Sequence, residues 1–304
     1  MKTITPFFLF CFFLVFYGCN NEQFVSVSID KVIKEINVEF EGVSTRRFNE
    51  FYNELGSPIN YKNFDNTQAF QNFIYDEENR LINFFYASFF EGSNILFTYE
   101  LDQLDQFTMV GTSAQTFTFT ITCIDNVVKI NRVTDDGEIL YSVFTFSDNT
   151  LNLLVKIERN FSLDANGNFV PFLIYDFEYD NNQNITKEII TKYKHDTESF
   201  KTTLIQEQIF DRMHNPFLNS QHKDLVALIL TFLEDPATGS LIEHISRLSP
   251  NNIMSRKKTF EFGNIHTFEY EYLYDKFDYP VSVVRTKFGG NEEKKTSTFN
   301  YYED

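Results

Sequence analysis

The sequence predicts a mainly β protein, folded as a curved or rolled antiparallel meander of successive hairpins with about 15 strands. Three observations support this prediction. Apolar and polar residues alternate with a period of two over many short segments, which is typical of strands with one buried face. Thr, Phe, Tyr, Ile and Val dominate those segments, and short stretches rich in Asn, Asp, Gly and Glu separate them. With 42% hydrophobic and 23% charged residues, the chain has the composition of a globular protein rather than a disordered one.

The N-terminus has the features of a bacterial lipoprotein signal. Lys2 is followed by an apolar run over residues 7–17, and its 11 residues are too few for a membrane-spanning helix, which needs about 20. The run ends in a small residue followed by Cys19, a junction that resembles a lipobox, in which the cysteine is lipidated and becomes the new N-terminus. The sequence therefore predicts a signal peptide over residues 1–18, lipid attachment at Cys19 and a tether over residues 19–30. The alternative is a secreted protein that is cut nearby, with Cys19 incidental.

Residues 31–304 form a single predicted β-rich domain with one helical insertion. The segment from Thr116 to Cys123 shows the strand pattern most strictly, because its apolar residues alternate with Thr. Helical spacing is clear at 221–234, where an apolar band ends before Pro236. A weaker helical segment follows, so the predicted insertion spans about 218–250.

A short pattern recurs between the predicted strands. An apolar or aromatic residue precedes an Asp, and an apolar residue or Pro opens the next strand five residues after that Asp. The copies have their Asp at Asp76, Asp164, Asp180, Asp211 and Asp275. An Asp side chain at the start of a turn accepts hydrogen bonds from backbone N–H groups that follow it, so each copy predicts a hairpin turn.

Two sets of motifs resemble known families. The segment from Tyr75 to Leu81 resembles the YD repeat of Rhs-type surface proteins. Further along, the order of Asn215-Pro216-Phe217, the apolar helix, Ser249-Pro250-Asn251-Asn252 and Tyr274-Asp275 is similar to that of secreted Bacteroidota lipoproteins. These lipoproteins form a family of unknown function that is sometimes described as porin-like. The resemblance implies an envelope location and a β-rich fold, and it supplies no catalytic residues.

Charge and motifs limit the classes of function. The formal net charge of −17 argues against nucleic-acid binding, since the protein would repel phosphates. The sequence has no spacing typical of a metal site, a phosphate-binding loop or a nucleophile elbow, so no catalytic residue, metal or cofactor is predicted. The favoured interpretation is a lipid-anchored, non-enzymatic binding or structural scaffold of the bacterial cell envelope. The family resemblance implies the outer membrane.

The predicted partners follow from this interpretation. The membrane is contacted through the lipid on Cys19, and the ligand is a glycan, a peptide or a protein. Aromatic rings stack well on sugars and peptides, so exposed tyrosines would form the natural contact surface, unless they simply pack the sheet. The candidates are Tyr270, Tyr272, Tyr274, Tyr301 and Tyr302.

Two alternative functions stay open at this point. A hydrolase of envelope or dietary polymers would need two facing carboxylates about 5–9.5 Å apart. An outer-membrane β-barrel would need an apolar outer face along every strand. Lys156 and Glu158 interrupt the expected outward face of one strand. Another strand carries Glu188, Lys192 and Lys194 on one face and Lys187 on the other. The sequence therefore favours a tethered sheet over a spanning barrel.

Overall fold

The computed structural model describes most of the predicted β domain. The described residues are 31–41, 46–63, 69–87, 92–101, 103–111, 115–149, 151, 153–164, 166–219, 249–289 and 292–302. The predicted signal peptide, Cys19, the tether and the predicted helix at 221–234 lie outside the described residues. Within the described ranges, no helix is long and apolar enough to cross a membrane.

Eighteen strands and one short 3-10 helix, Pro216–Asn219, are present among the described residues. The first nine strands are β1 (Ile33–Glu41), β2 (Arg46–Tyr52), β3 (Pro58–Asn63), β4 (Ala69–Tyr75), β5 (Leu81–Ala87), β6 (Gly92–Glu100), β7 (Gln103–Gly111), β8 (Thr116–Ile124) and β9 (Val127–Thr134). The other nine are β10 (Gly137–Phe146), β11 (Leu154–Leu163), β12 (Phe169–Tyr179), β13 (Ile185–Lys194), β14 (Ser199–His214), β15 (Asn251–Phe260), β16 (Ile265–Tyr274), β17 (Pro280–Phe288) and β18 (Glu293–Tyr301).

The strands form one closed sheet. Each strand pairs antiparallel with the next along the chain, and β1 also pairs antiparallel with β18, where Val38 lies opposite Ser297. The prediction of a mainly β antiparallel meander is confirmed. The predicted number of strands is too low, and the sheet closes into a barrel rather than only rolling. Alternation of side chains marks a strand but says nothing about which distant strand it pairs with, so the sequence did not predict closure.

Apolar side chains form a continuous cluster across one face of the barrel wall. The cluster runs from Tyr61 on β3 to Leu204 on β14. Phe107 and Phe119 on neighbouring strands stack with their ring centroids 4.7 Å apart. A closed sheet has only an inner and an outer face, so a buried cluster that follows the wall through so many strands occupies the inner face. Burying each Phe side chain stabilises the fold by roughly 1.5–3 kcal/mol, which makes this cluster the main apolar core.

The opposite, outer face carries several ion pairs. The ion pairs on this face are Lys156–Glu158, Glu178–Lys187, Glu207–Lys257 and Glu39–Arg47. Lys156 and Glu158 flank the buried Ile157 on β11 and are joined at 2.9 Å, so the prediction that they face outward is confirmed. Such exposed pairs each contribute only about 0–1 kcal/mol to stability. Their effect is to make the outer face polar at several places around the barrel.

Four of the five predicted Asp residues begin the same tight turn between two strands. They are Asp76, Asp164, Asp180 and Asp275. In the turn of Asp180, the side-chain Oδ1 accepts hydrogen bonds from the backbone N–H groups of Asn182 and Asn184, both at 2.9 Å. The third residue after the Asp has a left-handed backbone, as Gln183 does with φ of 66°. The side chain thus holds the loop in the geometry that lets the next strand return antiparallel.

Asn53 begins a further copy of this turn. Its Oδ1 accepts hydrogen bonds from the backbone N–H groups of Leu55 at 3.0 Å and Ser57 at 2.9 Å. The left-handed position is taken by Gly56, with φ of 78°. The sequence pattern missed this copy because it required Asp, whereas the amide oxygen of Asn accepts the same two hydrogen bonds.

Asp211 differs from the other predicted turn residues because it lies within β14. Its carboxylate accepts hydrogen bonds from the backbone N–H groups of Met213 and Asn252, both at 3.0 Å. Asn252 belongs to β15, so Asp211 links two neighbouring strands instead of beginning a turn between them.

We predict that Gln183→Gly stabilises the protein by about 0.5–1 kcal/mol, because Gly adopts positive φ without the penalty of about 1–2 kcal/mol that a side chain brings. Urea unfolding followed by circular dichroism measures the change. The matched control is Asn182→Gly, at the preceding residue, whose φ is not positive. Here Gly only adds conformational freedom to the unfolded chain, so this variant is expected to be less stable than the wild type. Equal effects of the two substitutions would contradict the turn geometry.

Candidate functional site

A cavity of about 130 Å³ lies on the inner face of the barrel near the closure between β1 and β18. Its wall is formed by β1, β2 and β15 to β18, and one end is covered by Pro216 and Phe217 of the 3-10 helix. The lining residues on β16, β17 and β18 alternate along each strand, as side chains on one face of a sheet must. This cavity is the candidate functional site.

The cavity lining carries more positive than negative charge. Arg256, Arg285 and Lys295 contribute three cations from β15, β17 and β18. Glu50 of β2 is the one carboxylate in the lining, and its Oε2 accepts a hydrogen bond from the hydroxyl of Tyr52 at 2.8 Å. Arg256, Arg285 and Glu50 are each less than one-tenth exposed, so their charges are largely removed from water.

Aromatic rings lie beside these cations. The guanidinium of Arg285 and the ammonium of Lys295 lie 6.0 Å and 5.3 Å from the ring centre of Phe40. The guanidinium of Arg256 lies 5.9 Å from that of Tyr270. Contacts of this kind contribute about 0.5–1 kcal/mol at exposed sites and more when water is excluded. The rings therefore offset part of the cost of burying the cations.

The neighbouring inner surface carries further polar groups. Arg285 donates a hydrogen bond to the carboxylate of Glu293 on β18, and Arg256 donates one to Oε1 of Gln208 at 3.4 Å. Lys258 follows Arg256 at the next position on the same face of β15 and lies 5.4 Å from the ring centre of Phe268. The charged character of the cavity therefore extends along the inner wall of β15 to β18.

Glu188 lies on the inner face of β13, opposite Gln206 of β14. It is 1% exposed, so of the two faces of this strand that carry charge, the face of Glu188 is the inner one. Burial raises the pKa of the Glu188 carboxyl to about 8, while Arg256 and Lys258 act in the opposite direction. The carboxyl is therefore mostly protonated at neutral pH. Alternation defines two faces without identifying the inner one, so the sequence did not predict that this charged residue lies inside.

Asp211 joins a hydrogen-bonded cluster behind the 3-10 helix. The hydroxyl of Tyr274 donates to the carboxylate of Asp211, and burial together with this carboxylate raises the pKa of Tyr274. The side chain of Asn252 donates to the backbone carbonyl of His214 at 3.0 Å, and that of Asn215 donates to the carbonyl of Ser249 at 2.6 Å. These bonds tie β14, β15 and β16 together beside the cavity and fix the position of its end.

The tyrosines predicted as a contact surface are used in packing. Tyr270 and Tyr272 line the cavity, and burial raises the pKa of Tyr272 well above its usual value. The hydroxyl of Tyr301 donates to the backbone carbonyl of Pro280, and that of Tyr302 donates to the carbonyl of Tyr52, both at 2.7 Å. These rings therefore do not form one exposed surface for stacking on a ligand.

The other predicted site residues lie away from the cavity. The four Asp residues that begin turns are absent from its lining, and Cys19 lies outside the described residues. The lining contains one carboxylate, so the pair of facing carboxylates that a hydrolase would need is not found in this cavity. Among the described residues, no group of three or more His, Cys, Asp or Glu side chains is arranged to hold a metal ion.

The basic residues of the cavity were missed at the sequence level, although a signal exists. Arg256 and Lys258 are two positions apart, as are Arg285 and Lys287. Each pair therefore projects from one face of its strand. If charged side chains are assumed to point towards water, both pairs are predicted to be solvent-exposed. Their position on the inner face becomes evident only from the strand pairing that places them beside Phe40 and Phe268.

We predict that Glu188→Gln raises the free energy of unfolding at pH 9 and weakens its decrease between pH 5 and pH 9. The folded carboxyl has a pKa of about 8, against 4.5 as the ordinary value, so the folded state keeps a proton that the unfolded chain releases. Stability therefore falls as the pH rises through this range and levels off above it. Each tenfold difference in proton affinity is worth about 1.4 kcal/mol, so a loss of a few kcal/mol is expected in the wild type.

Urea unfolding at several pH values tests this prediction, with Glu207→Gln as the matched control. Glu207 lies on the outer face of β14 and pairs with Lys257, so its replacement should leave the wild-type pH dependence in place. If Glu188→Gln showed the same pH dependence as the wild type, the carboxyl would not be the buried acid described here.

Comparisons with known proteins give likenesses among solved structures. No protein-family model matches the chain, and no curated protein matches it. A porin-like protein from Bacteroides vulgatus ATCC 8482 is similar at 9% identity, over 90% of this chain and 100% of that chain, with a TM-score of 0.44. A porin-like protein from Bacteroides uniformis ATCC 8492 is similar at 11% identity, over 89% of this chain and 98% of that chain, with a TM-score of 0.39. No conclusion about the activity of this chain is drawn from either likeness.

Proposed function

We propose that the protein is a non-enzymatic, lipid-anchored scaffold of the bacterial cell envelope that binds a ligand inside a closed barrel. The lipid on Cys19 tethers the barrel to the membrane, and the barrel wall itself stays in water. The outer membrane is the proposed location, on the strength of the motifs that resemble envelope lipoproteins. A glycan, a peptide or a protein remains the proposed partner for the outer surface and the turns.

The distribution of charge between the two faces carries this proposal. A membrane-spanning barrel turns an apolar band towards lipid and keeps polar residues inside. Here the continuous apolar cluster lies on the inner face, and ion pairs such as Lys156–Glu158 and Glu178–Lys187 lie on the outer face. A Lys on the lipid side costs up to roughly 2–4 kcal/mol at the midplane and less towards the interfaces, so outward-facing lysines such as Lys156 and Lys187 disfavour a lipid-facing wall.

An outer-membrane barrel is the second candidate, because one observation favours it. The described strands form a closed antiparallel barrel with an even number of strands, which is the architecture of bacterial outer-membrane proteins. Many of the strands also have the 9–11 residues that a tilted transmembrane strand needs. The two candidates differ in what holds the protein at the membrane, so they can be separated experimentally.

We predict that loss of Cys19 moves the protein from the membrane fraction to the soluble fraction. The variant combines Cys19→Ala with a conventional secretory signal in place of residues 1–18, so that export and cleavage still occur. Acyl chains contribute about 0.8 kcal/mol for each buried CH₂ group, and two or more chains give stable attachment that this variant lacks. The measurement is the partition of the protein between membrane pellet and supernatant after carbonate washing.

The matched control is Cys11→Ala, a second cysteine substitution that lies within the predicted signal peptide and leaves Cys19 in place. This control should remain in the pellet and should incorporate labelled fatty acid. Retention of the Cys19→Ala variant in carbonate-washed membranes would contradict the tether and support the spanning barrel.

A further inference from the structure

We infer that the cavity binds a small organic anion, with its acidic group between Arg285 and Lys295 and its apolar part against the neighbouring rings. This inference names a ligand class for the binding role proposed above and rests on that role. Its test measures ligand binding to the full-length protein purified in detergent, so it can fail independently of the membrane attachment.

Charge is the first argument for an anionic ligand. The lining supplies three cations and one carboxylate. Widening the count to adjoining inner-face residues adds Lys258 and Lys287 to the cations and Glu293 to the carboxylates, while Glu188 is mostly protonated, which leaves five positive groups against two negative ones. The whole chain has a net charge of −17, so this part of the inner wall has the opposite sign to the protein as a whole. Such a local excess attracts anions.

The register of β17 and β18 brings two cations into direct opposition. Arg285 lies opposite Lys295, and like charges that face each other across two strands destabilise a sheet. Glu293 accepts a hydrogen bond from Arg285 on one side of this pair. An anion placed between Arg285 and Lys295 would interact favourably with both cations at once. The arrangement is therefore suited to a ligand that brings one negative charge.

The same wall offers an apolar surface for the rest of the ligand. Phe40 lies beside both cations, and the rings of Phe217 and Phe299 meet at 6.1 Å on the side of the 3-10 helix. Ile36 and Val38 of β1 line the cavity between these groups and are almost fully buried. A ligand with one charged end and one apolar end matches this separation of cationic and apolar surfaces.

The size of the cavity limits the ligand to a small molecule. An apolar protein cavity of about 150 Å³ holds a benzene molecule. The cavity here has a volume of about 130 Å³ and is only partly enclosed, so its size is that of a short chain or a single ring, with room for an acidic group at its open side. The favoured ligand class is therefore a monocyclic or short-chain organic acid rather than a polymer.

A matched series of fluorinated probes tests the inference on the full-length protein in detergent. The probes are 4-fluorobenzoate, 4-fluorobenzyl alcohol and 4-fluorobenzylammonium, which share one ring and differ in charge, and inorganic phosphate tests the anion without the ring. Fluorine NMR titrations give the dissociation constants of the fluorinated probes, and displacement of 4-fluorobenzoate gives that of phosphate. We expect the benzoate to bind at least tenfold more tightly than the alcohol, with the ammonium weaker still and phosphate weaker than the benzoate. Equal binding of benzoate and alcohol, or absence of benzoate binding, would overturn the inference.

Substitutions of neighbouring lysines locate the site. Lys295→Gln should weaken benzoate binding about tenfold while leaving the alcohol unchanged, and Lys295→Arg should restore most of the affinity. The matched control is Lys294→Gln, one residue earlier and exposed, which should bind benzoate like the wild type. Equal losses in Lys295→Gln and Lys294→Gln would place the anion elsewhere and overturn the inference. If Lys295→Gln fails to fold, the order of probe affinities in the wild type still decides the question.

Discussion

The pairing of the first strand with the last is the interaction on which the rest of the structure depends. Hydrogen bonds between β1 and β18 leave no strand edge open in the described barrel, so every strand has two neighbours. Closure also means that each side chain on a strand points either into the barrel or out of it. The hairpin turns set the register of neighbouring strands. Closure then makes the alternating side chains of all strands form one inner wall and one outer wall.

The inner wall changes its chemistry around the barrel. From β3 to β14 it is a cluster of Phe, Leu, Ile, Val and Tyr side chains, and Val128 and Phe144 in this cluster have no exposed surface. From β15 to β18 the same alternate positions carry Arg and Lys beside aromatic rings. The apolar part supplies most of the stabilisation, since burying apolar side chains drives folding. That stabilisation permits the polar part, where burying cations opposes folding, to remain in place.

Much of the fold was predictable because its signals are local. The alternation from Thr116 to Cys123 became β8, with Phe119 in the core, and the Asp180 motif became a tight turn held by its own side chain. Information that depends on distant pairing was not predictable. The sequence did not predict that Glu188 lies inside, because the strand shows charge on both faces and the burial of Glu188 is evident only in the folded barrel. The cationic cavity was not predicted for the same reason, because only the pairing of β17 with β18 places Arg285 opposite Lys295.

The opposite signs of the outer and inner charges act on different kinds of ligand. The acidic outer surface repels polyanions at long range, and dissolved salt screens this repulsion beyond about 8 Å at physiological ionic strength. Inside the barrel, Arg256 and Arg285 are nearly buried, so salt screens their attraction for an anion much less. The sequence predicts that nucleic acid is not a partner, and such a polymer would meet the outer charge first. For the small organic acid that we infer as the ligand, the inner cations would matter more than the outer charge, so the proposed site would select ligands by size as well as by sign.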